Sequence, residues 1–251
     1  NNYKLDFNLF LFLQTMSNMI KKLKEIISRP QKIVITTHRG PDGDAIGSSL
    51  ALYNLLFKLG HTVNVITPND YASFLHWLPG NNFVTEHERS KETAIKMVEN
   101  ANIIFMLDFN DLSRIDGLAH YVKNSDAYKV LIDHHQDPQN NIADLIFSDP
   151  TICSTSQLVF QIIDKMDLSY LIDKDIAECF YVGIMTDTGS FKYSSTTSET
   201  HNIIARLIDC GARNTKIHDL IYDNNSADRI KLLGYCLNNK MLSLIHISEP
   251  T

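Results

Sequence analysis

Short apolar runs alternate with helical segments over residues 32–147, and this alternation limits the possible folds more than any other feature of the sequence. The runs are rich in β-branched residues and have few polar side chains, which is typical of strands buried on both faces. Strands are predicted at Lys32–Thr36, Thr62–Thr67, Ile103–Leu107, Lys129–Ile132 and Asp144–Phe147. Helical periodicity between them predicts an α/β fold with a mainly parallel five-stranded sheet flanked by helices.

After Pro150 the sequence has helical periodicity alone, so the C-terminal half is predicted to be helical. The helices expected there are Ser154–Met166, Lys174–Met185, Ser198–Cys210, Thr215–Tyr222 and Ala227–Leu237. Those expected earlier are Ile20–Ser28, Ala45–Leu59 and Lys91–Asn100.

Composition and cysteine usage indicate an ordinary globular protein of a reducing compartment. The net charge of −6 provides no basic surface for long nucleic acids. The four cysteines are widely spaced and form no CxxC pair, which argues against a disulfide framework. The apolar stretch Phe7–Leu13 is too short to cross a membrane. We therefore expect a cytoplasmic protein without a membrane partner.

A glycine-bearing loop with one histidine and two aspartates follows the first strand, in the sequence HRGPDGD at residues 38–44. Its two glycines are expected to let the loop fold back, because glycine adopts backbone conformations that strain other residues. The loop could then present His38, Asp42 and Asp44 to one point. Taken alone, Asp44 is better explained as the cap of the following helix.

Polar side chains also end the third and fourth strands. Asp108 follows the third, while Asp133, His134 and His135 follow the fourth. Ligands collect at the carboxyl ends of parallel strands, so these residues are candidates for one site. Asp108 by itself is equally compatible with a turn, whereas two histidines behind an aspartate favour metal binding.

A fourth cluster, TDTGSF at residues 186–191, follows a predicted helix and contains Asp187. This aspartate is a candidate ligand, although an ordinary turn at the end of a helix would also explain it. Carboxylates mixed with imidazole suit Mn²⁺, Mg²⁺ or Fe²⁺, and the lack of nearby cysteine argues against structural zinc. Six ligands shared by two ions, ~3.5–4 Å apart, would leave positions for water and substrate.

Together the segments THRGPDGDAIGSS, LDFND, IDHH and MTDTGSF resemble the DHH phosphoesterase family over Lys32–Ser195. Their form is most similar to the bacterial branch of nanoRNases and pAp phosphatases. That resemblance implies a manganese-dependent phosphodiesterase or phosphatase that uses two metals for in-line attack. Its substrates would be short oligoribonucleotides and 3′-phosphoadenosine 5′-phosphate (pAp).

The resemblance also implies a role for each candidate residue. His38 and Asp42 would bind one metal, and Asp44, His134 and Asp187 the second. Asp108 would bridge both metals, Asp133 would orient the histidine ligand, and His135 would assist at the phosphate or leaving group.

The domain expectation follows from the same resemblance. Residues 20–225 are expected to form the DHH catalytic domain, and residues 1–19 a non-native or disordered leader. Residues 226–251 would begin the linker helix and end in a doubtful tail, since LSLIHISEPT resembles translated sequencing-adapter sequence. This branch has a second, C-terminal substrate-binding domain, which nothing after Ala227 matches.

Two alternatives remain open at this stage. A related enzyme acting on cyclic dinucleotides, pyrophosphate or polyphosphate would use the same ligands. A catalytically silent module that binds metal or nucleotide is an alternative of another class. The partners expected are short RNA or pAp, with a homodimer as a candidate assembly.

Overall fold

Six parallel strands form one sheet in the order β3-β2-β1-β4-β5-β6. The computed structural model describes Gln14 and residues 16–139, 141–224 and 226–240. The strands are β1 (Lys32–Thr37), β2 (Thr62–Thr67), β3 (Val84–Glu86), β4 (Ile103–Leu107), β5 (Tyr128–Asp133) and β6 (Leu145–Ser148). All five predicted strands are present within one residue of their expected ends.

The expected number of five strands is too low, because β3 was missed. This strand has three residues, each only partly buried, and it pairs with β2 at an edge of the sheet. So short a segment contains too few residues to show the alternation on which strand prediction depends.

Helices flank the sheet and, among the described residues, are the main elements after β6, as predicted. They are α1 (16–26), α2 (Gly43–Lys58), α3 (Lys91–Glu99), α4 (Ala119–Asn124), α5 (Thr155–Lys165), α6 (Lys174–Asp187), α7 (Ser198–Asp209), α8 (Asn214–Ile221) and α9 (Ala227–Asn239). The short helix α4 was not predicted. In the described residues no strand follows β6. Most of the predicted leader and the adapter-like tail lie outside the described residues.

The two faces of the sheet are covered by different helices. On one face Val34, Ile104 and Leu131 belong to a buried cluster that also contains residues of α3 and α4. On the other face α2 and α5 pack against the strands, and α6 packs closely on α2. These contacts bury apolar residues of every central strand, which accounts for the continuous apolar runs in the sequence.

The strand order reverses beside β1, and this reversal determines where a site can form. From β1 the chain moves outward through β2 and β3, and then returns to place β4 on the other side of β1. In sheets of this kind, ligands bind in the crevice at the carboxyl ends of the strands where the order reverses. His38 follows β1 and Asp108 follows β4, so both lie at that crevice.

The chain divides into two units, Asn1–Asn214 and Thr215–Thr251. The first unit contains the complete sheet. In the second unit, α9 has no buried residue. Among the described residues, none of the helices has the length and apolar character that crossing a membrane requires.

Candidate metal centre

The loop after β1 brings His38 and Asp42 together at the N-terminus of α2. The Nε2 atom of His38 lies 3.9 Å from Oδ2 of Asp42. Oδ1 of Asp42 accepts hydrogen bonds from the amides of Asp44 and Ala45, both at 3.0 Å. The capping role considered for Asp44 therefore belongs to Asp42, which satisfies the helix with one oxygen and leaves the other facing His38.

The two glycines of this loop have different roles. Gly40 has a φ of +63°, as a loop that folds back requires. Gly43 does not have a positive φ; it is the first residue of α2, and a Cβ there would lie 2.3 Å from Oγ1 of Thr186. The expectation that both glycines serve the turn is thus wrong for Gly43, whose position lacks space for a side chain.

Asp44 is fully buried and is held by the N-terminus of α5. Its Oδ2 accepts the amide of Thr155 at 2.6 Å, and its Oδ1 accepts the amide of Ser156 at 2.9 Å. Burial raises the pKa of Asp44 well above its usual range, and the carboxylates of Asp108 and Asp187 raise it further. Free helix amides thus orient a carboxylate in a cluster of like charges.

Asp108 follows β4 and lies between two histidines, His38 and His134, which follow the strands on either side, β1 and β5. Its Oδ2 is 3.5 Å from Nε2 of His38, and its Oδ1 is 3.7 Å from Nε2 of His134. The hydroxyl of Thr155 donates to Oδ1 at 2.8 Å. Burial would raise the pKa of Asp108, but the hydrogen bond and charge of His38, the charge of His134 and the hydroxyl of Thr155 lower it overall.

His134 and Asp187 complete the other side of the cluster. Nε2 of His134 lies 3.3 Å from Oδ2 of Asp187, the last residue of α6. Burial and the neighbouring carboxylates Asp108 and Asp42 raise the pKa of Asp187 to about 6, although His134 opposes this change. A carboxylate at a helix C-terminus is also disfavoured by the helix dipole, so this position favours a bound cation.

Asp133 orients His135 and not His134, contrary to the sequence expectation. Nδ1 of His135 donates to Oδ1 of Asp133 at 2.7 Å, whereas Nδ1 of His134 lies 3.2 Å from the carbonyl oxygen of Ile152. Because the side chain of His134 bonds to Ile152, the buried carboxylate of Asp133 is left to bond with the next histidine, His135. The hydrogen bond that His135 donates to Asp133 raises the pKa of His135, with burial opposing it.

The predicted ligands form two sets that lie next to each other. In each set the potential ligand atoms lie within 4.8 Å of one another; the sets are His38, Asp42 and Asp108, and Asp44, His134 and Asp187. A third overlapping set combines Asp108, His134 and His135. All eight candidate residues are therefore brought to one region of the molecule, at the carboxyl end of the sheet.

The protonation of the histidines supports a divalent cation at this cluster. A carbonyl oxygen can only accept, so Nδ1 of His38 must carry the proton that bonds to Arg39 O at 2.9 Å. The same argument applies to His134 and Ile152 O. In the neutral imidazoles, both Nε2 lone pairs therefore face carboxylate oxygens, which is repulsive unless a proton or cation lies between them. Ligands ~2.0–2.2 Å from one ion are separated by about 3–4 Å, as these atoms are.

Sequence reasoning missed the residues that position these ligands. Thr155 and Ser156 contact Asp44 and Asp108 from α5, and Ile152 holds His134. The run Ser-Thr-Ser at residues 154–156 is a recognisable helix start, and Ser154 does cap α5. That signal predicts a helix terminus but does not show which carboxylate the terminus binds.

Comparisons with known proteins find relatives that match most of this chain. Bifunctional oligoribonuclease and PAP phosphatase NrnA of Thermus thermophilus is 32% identical over 187 residues, which are 74% of this chain and 52% of that protein. Cyclic-di-AMP phosphodiesterase GdpP of Bacillus subtilis is 27% identical over 203 residues, which are 76% of this chain and 29% of that protein. This chain thus spans about half or less of the length of these relatives.

Among solved structures, an exopolyphosphatase-related protein from Bacteroides fragilis has a TM-score of 0.87 and 41% identity. The match covers 90% of this chain and 66% of that one. Residues 32–184 match the profile of the DHH family, N-terminal domain. Since that match covers more than half of its length, the chain belongs to the DHH family.

Proposed function

We propose that this chain carries the catalytic site of a phosphoesterase that depends on divalent metal, with residues 20–225 as its catalytic domain. Its proposed substrates are short oligoribonucleotides and pAp. The observation that carries the proposal is the position of Asp108, whose two oxygens face a histidine in each of the two ligand sets. The name of the Thermus relative supports the substrate class.

In this proposal the two sets hold one ion each. His38 and Asp42 would hold the first ion, Asp44, His134 and Asp187 would hold the second, and Asp108 would contribute to both. Two ions held in this way would activate water and neutralise charge on the phosphoryl oxygens. Mn²⁺ is the proposed ion, because mixed oxygen and imidazole ligands suit it.

His135 is the proposed proton donor. Its side chain is 39% exposed, and Nδ1 is engaged with Asp133, so Nε2 is the nitrogen left for the substrate. Because Asp133 raises the pKa of His135, the imidazole retains a proton at higher pH. The pair can therefore deliver a proton from Nε2 to the leaving oxygen of the ester.

A substrate panel with defined metals tests the proposal. The protein is stripped with a chelator, loaded with Mn²⁺ or Mg²⁺, and assayed on pAp, a 5′-phosphorylated diribonucleotide, cyclic di-AMP, pyrophosphate and polyphosphate. We expect turnover of the first two with Mn²⁺. In Asp108→Asn that turnover should fall by about two orders of magnitude or more, since both ions lose a ligand.

The control is Asp126→Asn, which removes the same charge from an exposed position before β5. It should leave turnover unchanged. A preference for cyclic di-AMP or polyphosphate would favour the alternative enzyme, which hydrolyses cyclic dinucleotides or polyphosphate. The names of the Bacillus and Bacteroides proteins support that alternative. Full activity of Asp108→Asn would contradict the metal role of Asp108.

A further inference from the structure

The carboxylates of the proposed centre neutralise its two metal ions, so the centre offers no net positive charge to a second phosphate group of the substrate. Asp42, Asp44, Asp108 and Asp187 are the carboxylates of the two ligand sets, and together they cancel the charge of two divalent ions. A nucleotide with two phosphate groups, as the proposed function requires, can place only one of them at the metals. The other needs a positive group supplied by the protein.

Arg114 lies where such a group would be needed. It belongs to the helical segment Leu112–Leu118, which follows β4 and Asp108. Its carbonyl oxygen accepts the amide of Arg39 at 2.7 Å, so its backbone is tied to the loop that carries His38. Its positive charge also acts on His135, the histidine proposed to face the substrate. The charge of the guanidinium therefore also acts next to the second ligand set, since His135 follows His134.

The guanidinium of Arg114 is exposed and available. Within the described part of the chain it has no hydrogen bond or ion pair with another side chain. Four other arginines each bind a carboxylate: Arg39 binds Glu88 and Asp116, Arg89 binds Asp70 and Glu86, Arg206 binds Asp164, and Arg213 binds Glu178. A solvated surface arginine would have the same exposure. Arg114 differs from such an arginine because its backbone carbonyl is hydrogen-bonded to the loop that carries His38.

We propose that Arg114 binds a second phosphate group of the substrate, next to the ester held at the metals. The planar guanidinium can donate two parallel hydrogen bonds to phosphate oxygens, which an ammonium group cannot match. The ligand class is a nucleotide with two phosphates, either pAp or the neighbouring phosphate of a short oligonucleotide. This inference rests on the proposed function.

The test compares pAp with 3′-AMP, which lacks the second phosphate. In Arg114→Gln we expect kcat/KM for pAp to fall by about 10–100-fold, mainly through KM, because charged hydrogen bonds are lost. The value for 3′-AMP should stay within about threefold, and Arg114→Lys should restore part of the loss for pAp. Calorimetric Mn²⁺ affinity should be unchanged in both variants.

Arg89→Gln is the control for a general loss of positive charge, since Arg89 is exposed and paired with Asp70 and Glu86. An equal effect of this variant, an equal loss for both nucleotides, or weaker Mn²⁺ binding in Arg114→Gln would each overturn the proposal. If the wild-type protein hydrolyses neither nucleotide, the proposed function fails. In that case, calorimetry on the Mn²⁺-loaded wild type and Arg114→Gln still tests the role of Arg114. The variant should bind pAp more weakly than the wild type does, with 3′-AMP binding unchanged.

Discussion

Asp108 follows β4 with a φ of +65°, in the left-handed region of the backbone. A residue with a side chain adopts that region at a cost of about 1–3 kcal/mol, so the surrounding structure must hold it there. Its amide donates to the carbonyl oxygen of Ile132 at 3.1 Å, and its carboxylate accepts the hydroxyl of Thr155. The sequence predicts Asp108 at a strand end, but not this conformation, because the contacts come from a neighbouring strand and a distant helix.

The raised pKa of Asp187 predicts a pH dependence in the metal-free protein. The folded protein binds this proton more tightly than the unfolded chain does, so the stability due to Asp187 is lost as the pH rises from about 4 through about 6. Asp187→Asn imitates the protonated form at every pH. In chelator we expect it to match the wild type near pH 4 and to be more stable by on the order of 1–3 kcal/mol at pH 7.

Urea unfolding at a series of pH values measures this difference. Asp209→Asn is the matched control, since Asp209 is an exposed carboxylate that also ends a helix, α7. The stability difference between Asp209→Asn and the wild type should be small at every pH. A stability difference for Asp187→Asn that is constant from pH 4 to pH 7 would rule out the raised pKa.

Helices α2 and α6 cross closely, and each carries a candidate ligand. A Cβ on Gly47 would lie 2.6 Å from the carbonyl oxygen of Cys179 and 2.8 Å from the amide nitrogen of Gly183. A Cβ on Gly183 would overlap Oγ of Ser156. Small residues at both positions therefore allow α2, α5 and α6 to bring Asp44 and Asp187 near each other. The turn predicted from Gly40 and Gly43 gives no sign that Gly43 and Gly47 pack against α6, more than 100 residues away in sequence.

Gly47→Ala should destabilise the protein by about 1–3 kcal/mol, because the new methyl group meets backbone atoms that cannot rotate away. It should also weaken Mn²⁺ binding by separating Asp44 from Asp187. Thermal unfolding and metal titration measure the two effects. Gly234→Ala is the control, since nothing lies within 4 Å of its added Cβ. Wild-type stability in Gly47→Ala would show that the helices tolerate a wider separation.

The proposed metals would join parts of the chain that are distant in sequence. The ligand sets combine the loop after β1 with the ends of β4, β5 and α6. Cations held by these sets bind the folded protein and not the unfolded chain. Each site filled by Mn²⁺ at 100 times its dissociation constant should therefore raise the stability by about 2.7 kcal/mol, which is roughly 5–10 °C in Tm for each ion.

Thermal unfolding with increasing Mn²⁺ after chelator treatment measures this shift. Asp108→Asn should lose most of the shift, because Asp108 is proposed to bind both ions, whereas Asp126→Asn should keep it. An equal rise in Tm for Asp108→Asn and the wild type would mean that the ion binds elsewhere.

The sequence by itself determined the parallel sheet and the end of the sheet at which the polar residues collect. Apolar runs long enough to be strands, joined by helical segments, leave few other arrangements, and a parallel sheet directs its carboxyl ends to one side. Only the tertiary structure decided the position of the edge strand β3, the pairing of Asp133 with His135, and the binding of Asp44 by the first two amides of α5. These features depend on contacts between residues far apart in sequence, such as the 111 positions between Asp44 and Thr155. Local patterns determine how each segment folds, but they do not determine which distant group completes its hydrogen bonds.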